Sequence, residues 1–178
     1  MAQTDLGICC ANGDGMAKNM VEAAMWYRKA AEQGYFIAQA KLGNCYFTGK
    51  GVVADDIEGV KWMRKSAEQG FALAQYMVGT SYYEGVGVTK DLVEAAKWWQ
   101  KAADQGEAES QFNLGLAYAK GEGISEDLVE ACKWFGLAAN HGHKKAPFAL
   151  AGTLQNLSHE QAAAVGKRVK GWKPTPPK

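Results

Sequence analysis

Trp26, Trp62, Trp98 and Trp134 stand 36 residues apart, and Gly34, Gly70, Gly106 and Gly142 keep the same spacing. Self-similarity at a fixed period of this size means one supersecondary unit built several times over, each copy covering the face its neighbour leaves bare. Three more glycine columns repeat in step: Gly7, Gly43, Gly79 and Gly115; Gly13, Gly49, Gly85 and Gly121; Gly15, Gly51, Gly87 and Gly123. The four columns take up 16 of the 21 glycines. A glycine share of about 12% against a norm of roughly 7% is therefore architecture and not low complexity. Gln3, Gln39, Gln75 and Gln111 form another column, as do Leu6, Leu42, Val78 and Leu114, Glu22, Glu58, Glu94 and Glu130, and Ala31, Ala67, Ala103 and Ala139.

Within one unit, two helix-sized segments flank a Gly-x-Gly turn. The first, helix A, is predicted over about Ile37 to Thr48, with Ala38, Leu42 and Tyr46 on one stripe and Gly43 admitting a neighbouring helix. The second, helix B, opens with Asp55 and places Glu58 three residues on. That is capping-box spacing, in which the Asp side chain accepts from first-turn amides while Glu reaches back to the cap. Asn19 with Glu22, Asp91 with Glu94 and Asp127 with Glu130 repeat it. Helix B is expected to stop at Gly70, where a residue without Cβ takes the left-handed conformation, and to bury Val60, Trp62, Met63, Ser66 and Ala67. Neither helix buries both of its faces alone, so pairs must stack, and the fold expected is an all-α solenoid.

The ends differ. Residues 145–156 keep a worn helix A, and Ser158 with Gln161 forms a capping box ahead of a helix from Glu160 to about Lys170. This helix is read as a terminal lid, with Ala162, Ala163, Val165 and Val169 inward and Lys167, Arg168 and Lys170 toward solvent. Lys173 to Lys178, with three prolines, is expected to be a disordered tail. The domain reading is one solenoid over 1–172, with repeats at 2–37, 38–73, 74–109 and 110–145, a degenerate half repeat and cap at 146–172, and the tail at 173–178. No cap precedes Ala2, which suggests a cut from a longer chain or a removed extension.

Lys+Arg number 20 and Asp+Glu 19, a balance that argues against nucleic acid as a partner, although residues 143–178 carry seven of the bases and one acid. No apolar run approaches the roughly 18 residues of a membrane span. The first residues show neither a basic head nor an apolar stretch, so no signal peptide is read there, leaving cytoplasm and periplasm both open.

The unit Ala-Gln-x-x-Leu-Gly-x-x-Tyr, Gly-x-Gly, Asp-x-x-Glu-Ala-x-x-Trp-x-x-Lys-Ala-Ala-x-Gln-Gly resembles the Sel-one-like repeat family, bacterial relatives of tetratricopeptide repeats. Residues 91–106, DLVEAAKWWQKAADQG, are close to an ideal instance, and residues 157–174 look like the cap of many bacterial members. Cys10 at the Tyr column and Asn19 at the Asp column depart from the pattern. The resemblance implies helix pairs stacked with a right-handed superhelical turn, A helices inward, and a scaffold or adaptor that grips a partner protein. Counting as in tetratricopeptide helices, the concave surface is expected to be lined by Ile37, Ala40, Asn44, Phe47 and Thr48, then Leu73, Tyr76, Thr80, Tyr83 and Glu84. Glu109, Phe112, Leu116, Ala119 and Lys120 continue it, and Lys145 and Phe148 close it. Tyr76, Phe112 and Phe148 share a column and are read either as groove residues or as half-buried between adjacent helices A, whereas Phe47 and Tyr83 are read as exposed.

Chemistry is sought alongside. The Gly-x-Gly turns lack the third glycine and the Lys-Ser/Thr of a phosphate loop. His141, His143 and His159 show no zinc-ligand spacing, and neither Ser-x-x-Lys nor Gly-x-Ser-x-Gly occurs. One secreted branch of the resembled family is cysteine-rich, staples the two helices of each unit with paired Cys and is associated with penicillin binding; that staple is absent. Cys9 and Cys45 share a column on neighbouring parallel helices, a poor disulfide geometry, and Cys132 stands in the small-residue column of Ala24, Val60 and Ala96, so free thiols are expected. The function expected is a non-enzymatic, monomeric interaction module with no cofactor or metal, holding a partner protein or peptide in its concave groove. A weak β-lactamase-like hydrolase and a consensus-like array without a partner are the alternatives.

Overall fold

The computed structural model describes residues 2–15 and 17–176. The described residues form ten helices and no strand: α1 (Ala2–Asn12), α2 (Met20–Glu32), α3 (Phe36–Thr48), α4 (Asp56–Glu68), α5 (Ala72–Glu84), α6 (Leu92–Asp104), α7 (Ala108–Lys120), α8 (Leu128–Asn140), α9 (Ala146–Leu154) and α10 (His159–Gly171). Odd-numbered helices through α7 are the A helices of the repeat and even-numbered ones through α8 the B helices. The chain divides into two compact units, Met1–Lys90 and Asp91–Lys178.

Helix B begins as the sequence indicates, with a difference in detail. Asn19, Asp55, Asp91 and Asp127 cap α2, α4, α6 and α8 by accepting from first-turn amides. The reciprocal half of the box is not made in α4, α6 and α8: Glu58, Glu94 and Glu130 turn to lysines one turn on, Lys61 at 2.6 Å, Lys97 at 2.7 Å and Lys133 at 2.9 Å. A carboxylate near a helix N-terminus is favoured by the dipole wherever it points, so the charged partner wins over the backbone amide. Only Ser158 and Gln161 of α10 close a full capping box among the described residues. Helix B ends in a Schellman arrangement: Gly70 has φ 92°, its amide donates to Ala67 O at 3.0 Å, and the Phe71 amide donates to Ser66 O.

In unit 1, α1 to α5 pack in sequence, each helix on the next. Small residues of helix A meet large ones of helix B. A Cβ on Gly7 would lie 2.6 Å from the Tyr27 ring, and one on Gly43 would lie 2.9 Å from Gly59 O and 3.2 Å from the Met63 amide. Consecutive repeats are joined by polar contacts from conserved-spacing positions. Buried Gln39 donates from Nε2 to Ala31 O at 3.2 Å, and Gln75 repeats this to Ala67 O at 3.1 Å. Arg28 donates to the Tyr46 hydroxyl and Arg64 to that of Tyr82. The second glycine of the turn closes the joint: a Cβ on Gly51 would fall 1.9 Å from Met20 O, and one on Gly87 2.2 Å from Asp56 O. Cys10, at the Tyr column, is buried at 1% exposure.

Unit 2 repeats the joint once, Gln111 donating to Ala103 O at 3.0 Å, and then ends it. Gly136 stands in the column of Arg28, Arg64 and Gln100, and its bare Cα lets Val169 of α10 approach, 2.9 Å from where a Cβ would sit. The lid reading needs one correction. Val165 is buried at 5%, Val169 and Ala162 are half-buried, but Ala163 is exposed, because at about 100° per residue it falls on the opposite face of α10 from Val165. Arg168 is not merely solvated; it pairs with Glu130. After α10 the chain runs extended, Trp172 packs among Leu114, Trp134 and Leu137, and the Thr175 amide donates to Asp104 O at 2.7 Å. A disordered tail was expected over 173–178; its residues 173–176 are extended and held by that bond, while Pro177 and Lys178 lie outside the described residues.

Candidate functional site

The A helices of unit 1 carry a ridge of exposed apolar side chains that no neighbour covers. Ile37 is 42% and Leu73 53% exposed. They face each other across a groove of about 310 Å³ between α3 and α5, whose other walls are Ala40, Lys41, Asn44, Phe71 and Met77, with Met63 of α4 among its lining residues. The structure therefore brings together Ile37, Ala40, Asn44 and Leu73 from the expected surface. Phe36 and Phe71, with ring centroids 5.4 Å apart, sit near its N-terminal end.

The other expected residues separate by environment. Phe47, read as exposed, is half-buried with its ring on Gly59, where a Cβ would lie 2.8 Å away. Glycine at the position occupied by Ala23, Ala95 and Ala131 in other repeats makes room for a ring there. Tyr83 is half-buried beneath the Lys90 ammonium, 5.4 Å from the ring centroid. Tyr76 and Thr80 are half-buried, Glu84 is exposed, and Thr48 spends its hydroxyl on Asn44 O at 2.8 Å.

In unit 2, Phe112 is half-buried, stacked on the buried His143 with centroids 4.0 Å apart and tilted on Phe135 at 5.6 Å. His143 Nε2 lies 3.3 Å from the Glu109 carboxylate. Leu116 is half-buried, Lys120 pairs with Glu122 at 3.8 Å, and Phe148 is 81% exposed. The shared column thus resolves both ways: Tyr76 and Phe112 half-buried, Phe148 free.

Reactive groups are subdued by their surroundings. None of the four cysteines is in a disulfide; Cys9 is half-buried and Cys10, Cys45 and Cys132 are buried. Burial pushes the Cys132 thiol up to about 11 and raises that of Cys45, with Lys41 and Lys50 pulling the other way. A thiol held protonated is a poor nucleophile at neutral pH. His141 caps α8 and its Nδ1 meets Gln111 Oε1 at 2.8 Å, so that nitrogen carries the proton and the imidazole continues the glutamine joint. Among the described residues no three His, Cys, Asp or Glu side chains gather as a metal site, and no helix is long and apolar enough to cross a membrane.

Sequence reasoning missed Lys41, Met77 and Phe71 in the groove. Their signal was available as departure from the repeat: Lys41 and Met77 share one column with Asp5 and Asn113, a position where the scaffold imposes no residue type.

Helix pairs joined through repeated glutamine and glycine contacts, with exposed variable positions on the A helices, define an α-helical repeat scaffold. The family model for the Sel1 repeat matches residues 1–35, 37–71, 72–107 and 108–143, and the chain belongs to the Sel1 repeat family. Those boundaries run one or two residues ahead of the ones read from the sequence columns. Among solved structures, a protective antigen of uropathogenic Escherichia coli strains with an SLR fold is 34% identical, with a TM-score of 0.85 over 95% of this chain and 37% of its own. A Sel1 repeat protein from Oxalobacter formigenes is 33% identical, with a TM-score of 0.83 over 98% of this chain and 74% of its own. The chain thus spans well under half the length of the first. Cysteine rich protein B of Helicobacter pylori, 23% identical with a TM-score of 0.59 over 74% of this chain and 94% of its own, shares the fold. No curated protein matches the chain. Sel1 repeat proteins are generally protein–protein interaction scaffolds and typically non-enzymatic.

Proposed function

We propose that this protein is a non-enzymatic scaffold that holds a peptide segment of a partner protein on its A-helix face, with the α3–α5 groove as the central seat. The observation that carries the reading is the groove itself: Ile37 and Leu73 stay 42% and 53% exposed at positions where the repeat does not require an apolar residue, their columns being filled elsewhere by Met1, Glu109 and Lys145. Apolar side chains gathered in a groove with polar neighbours mark a binding surface. Asn44 and Thr48 on α3, with Tyr76, Thr80 and Glu84 on α5, supply polar groups and partly exposed surface around it. Phe47 and Tyr83 lie half-buried further along α3 and α5. In unit 2, Phe112, Leu116, Lys120 and Phe148 are the corresponding surface, Phe148 being its most exposed apolar group.

A random-peptide display library panned against the whole chain, with parallel panning against I37D/L73D, tests this. Both side chains are exposed, so the variant should keep the wild-type melting temperature while losing most of the enrichment. Aromatic or aliphatic anchors in such seats often contribute about 2 kcal/mol, roughly 30-fold. Equal enrichment on both proteins would remove the groove from consideration.

A further inference from the structure

A second cavity, of about 450 Å³, opens between α1 and α3 in unit 1 and is lined by Asn12, Lys18, Lys41, Asn44, Cys45 and Lys50 among others. Lys41 and Asn44, one turn apart on α3, also line the α3–α5 groove, so the two cavities share a wall. No Asp or Glu is among the lining residues of this cavity. The nearest acids along the chain are Asp14, which accepts from the Asn12 side-chain amide at 3.1 Å, and Glu22, which accepts from that of Asn19 at 3.5 Å.

Three observations make the lysines unusual. Lys61, Lys97 and Lys133 each hold a glutamate within 2.9 Å and Lys29, Lys65 and Lys101 lie over tryptophan rings, whereas Lys18, Lys41 and Lys50 have no ion-pair partner among the described residues and gather around one cavity. Residues 1–90 carry nine Lys/Arg and nine Asp/Glu, so the concentration of positive charge is local and not a property of a basic unit. The scaffold does not call for it: the column of Lys41 holds Asp5, Met77 and Asn113, that of Lys50 holds Asp14, Val86 and Glu122, and that of Lys18 holds Ala54, Lys90 and Glu126. Three like charges around one cavity repel, and the repulsion is relieved when anionic groups enter between them. Asn44 supplies a side-chain amide donor beside the ammonium groups, while that of Asn12 is held by Asp14.

We propose that this cavity receives the side-chain carboxylates of an acidic peptide segment whose adjoining apolar side chains occupy the α3–α5 groove. The proposal rests on the peptide-holding reading above and names the chemistry of the peptide. A peptide fits better than a polynucleotide because the shared wall leads directly from the lysines to Ile37, Leu73 and Met77, a seat for aliphatic side chains, while the Phe36 and Phe71 rings at its end pack against each other. Lys41 sits at the junction and fixes the register between charge and apolar anchor.

The same display selection on the whole chain provides the test. Enriched sequences are expected to carry two or more Asp or Glu directly beside a pair of apolar residues. Binding of one such synthetic peptide, followed by fluorescence polarisation, should weaken about tenfold in K18Q/K41Q/K50Q, since each partly screened pair contributes modestly. Replacing the peptide's acids by amides should weaken it equally, and combining the two changes should add little. K61Q, which removes a lysine already paired with Glu58, should leave binding unchanged, and the triple variant should keep the wild-type melting temperature. Enriched peptides without acidic residues, a triple variant that binds as wild type, an equal loss in K61Q, or binding that vanishes when only the peptide's terminal carboxylate is amidated would each overturn the carboxylate site alone. Tighter binding of a single-stranded oligonucleotide than of the peptide, lost in the triple variant, would overturn it also. No enrichment over I37D/L73D would overturn the peptide-groove reading, and this one with it.

Discussion

Units 1 and 2 are built from the same repeat and hold it together with the same contacts, yet some of their variable positions differ in charge. The glutamine joint is made by Gln39 and Gln75 in one and by Gln111 in the other, with donor–acceptor distances between 3.0 and 3.2 Å. The turn glycine abuts a carbonyl of the preceding helix B in both. Away from these columns, Lys50 and Lys18 of unit 1 are answered by Glu122 and Glu126 of unit 2, and Lys41 by Asn113. The apolar seat between α3 and α5 has no single equivalent either: Phe112 is drawn down onto His143 and Phe135, while Phe148 stands clear. Positions that join repeats are fixed by packing and backbone hydrogen bonding, which tolerate little change. Positions facing solvent are free to differ, and difference between otherwise identical units is where a binding surface is to be sought.

The largest expected effect checks that the scaffold is common to both units. Trp62 is 7% and Trp134 2% exposed, each in its unit's core, and each lies under a lysine ammonium, Lys65 at 4.1 Å and Lys133 at 4.2 Å from the ring centroid. Trp62→Ala and Trp134→Ala should each cost about 3–5 kcal/mol by opening a cavity of indole size. Urea unfolding measures both. A loss below about 1 kcal/mol in either one would break the equivalence, since a ring that contributes so little is not core.

A smaller effect separates backbone conformation from contact. Gly142 and Gly123 both have positive φ, 87° and 74°. A Cβ on Gly142 would meet nothing within 4 Å, whereas one on Gly123 would fall 2.0 Å from Leu92 O. Gly142→Ala should therefore lose only the left-handed penalty, about 1 kcal/mol. Gly123→Ala should lose that and the joint between turn and helix, about 3 kcal/mol or more. Equal losses would mean that the second glycine of the turn is chosen for conformation alone and that close approach of successive repeats is not what fixes it.

These two glycines also show how much could be read without coordinates. Repetition marked both columns, and helix ends, the Gly-x-Gly turn, the Trp core and the caps followed from spacing and local chemistry. What spacing did not reveal is which neighbour each repeated residue touches. Gln39 was visible as a column, but its bond to Ala31 O crosses from one pair to the next. Gly59 is ordinary in sequence, and only the ring of Phe47 lying on it explains why Phe47 is not the exposed groove residue its position suggested. The glutamates of the expected capping boxes chose lysines because two flexible side chains one turn apart find each other more readily than a carboxylate finds the backbone amide behind it. Lys18, Lys41 and Lys50 are spread over 33 positions of sequence and belong to no motif. Their convergence depends on α1 lying beside α3, which the repeat implies only for the scaffold columns.

The smallest effect concerns a single atom that differs between the units. Cys132 occupies the column of Ala24, Val60 and Ala96, is fully buried, and its thiol is pushed up to about 11 by burial. In unit 1 burial pushes Tyr27 up to about 12 and also raises the Cys10 and Cys45 thiols. Cys132 and Tyr27 are both neutral when protonated, and in both the folded-state value lies above the ordinary one, 9.0 for Cys and 10.0 for Tyr. Folding therefore favours the proton. That contribution is fully present below the unfolded values and is lost as pH rises through the folded ones, so stability should decline from about pH 9 upward and continue to fall toward pH 12. Near neutrality Cys132→Ala should alter the melting temperature little, because alanine already fills this column in two other repeats. Between pH 9 and 11 the variant should lose stability more slowly than the wild type, since one buried acid fewer remains to be ionised. Thermal melts at stepped pH, with ultraviolet difference spectra reporting tyrosinate formation, distinguish the contributions. Parallel decline of wild type and variant over that window would show that the thiol ionises without cost and that the interior of unit 2 around α8 admits water.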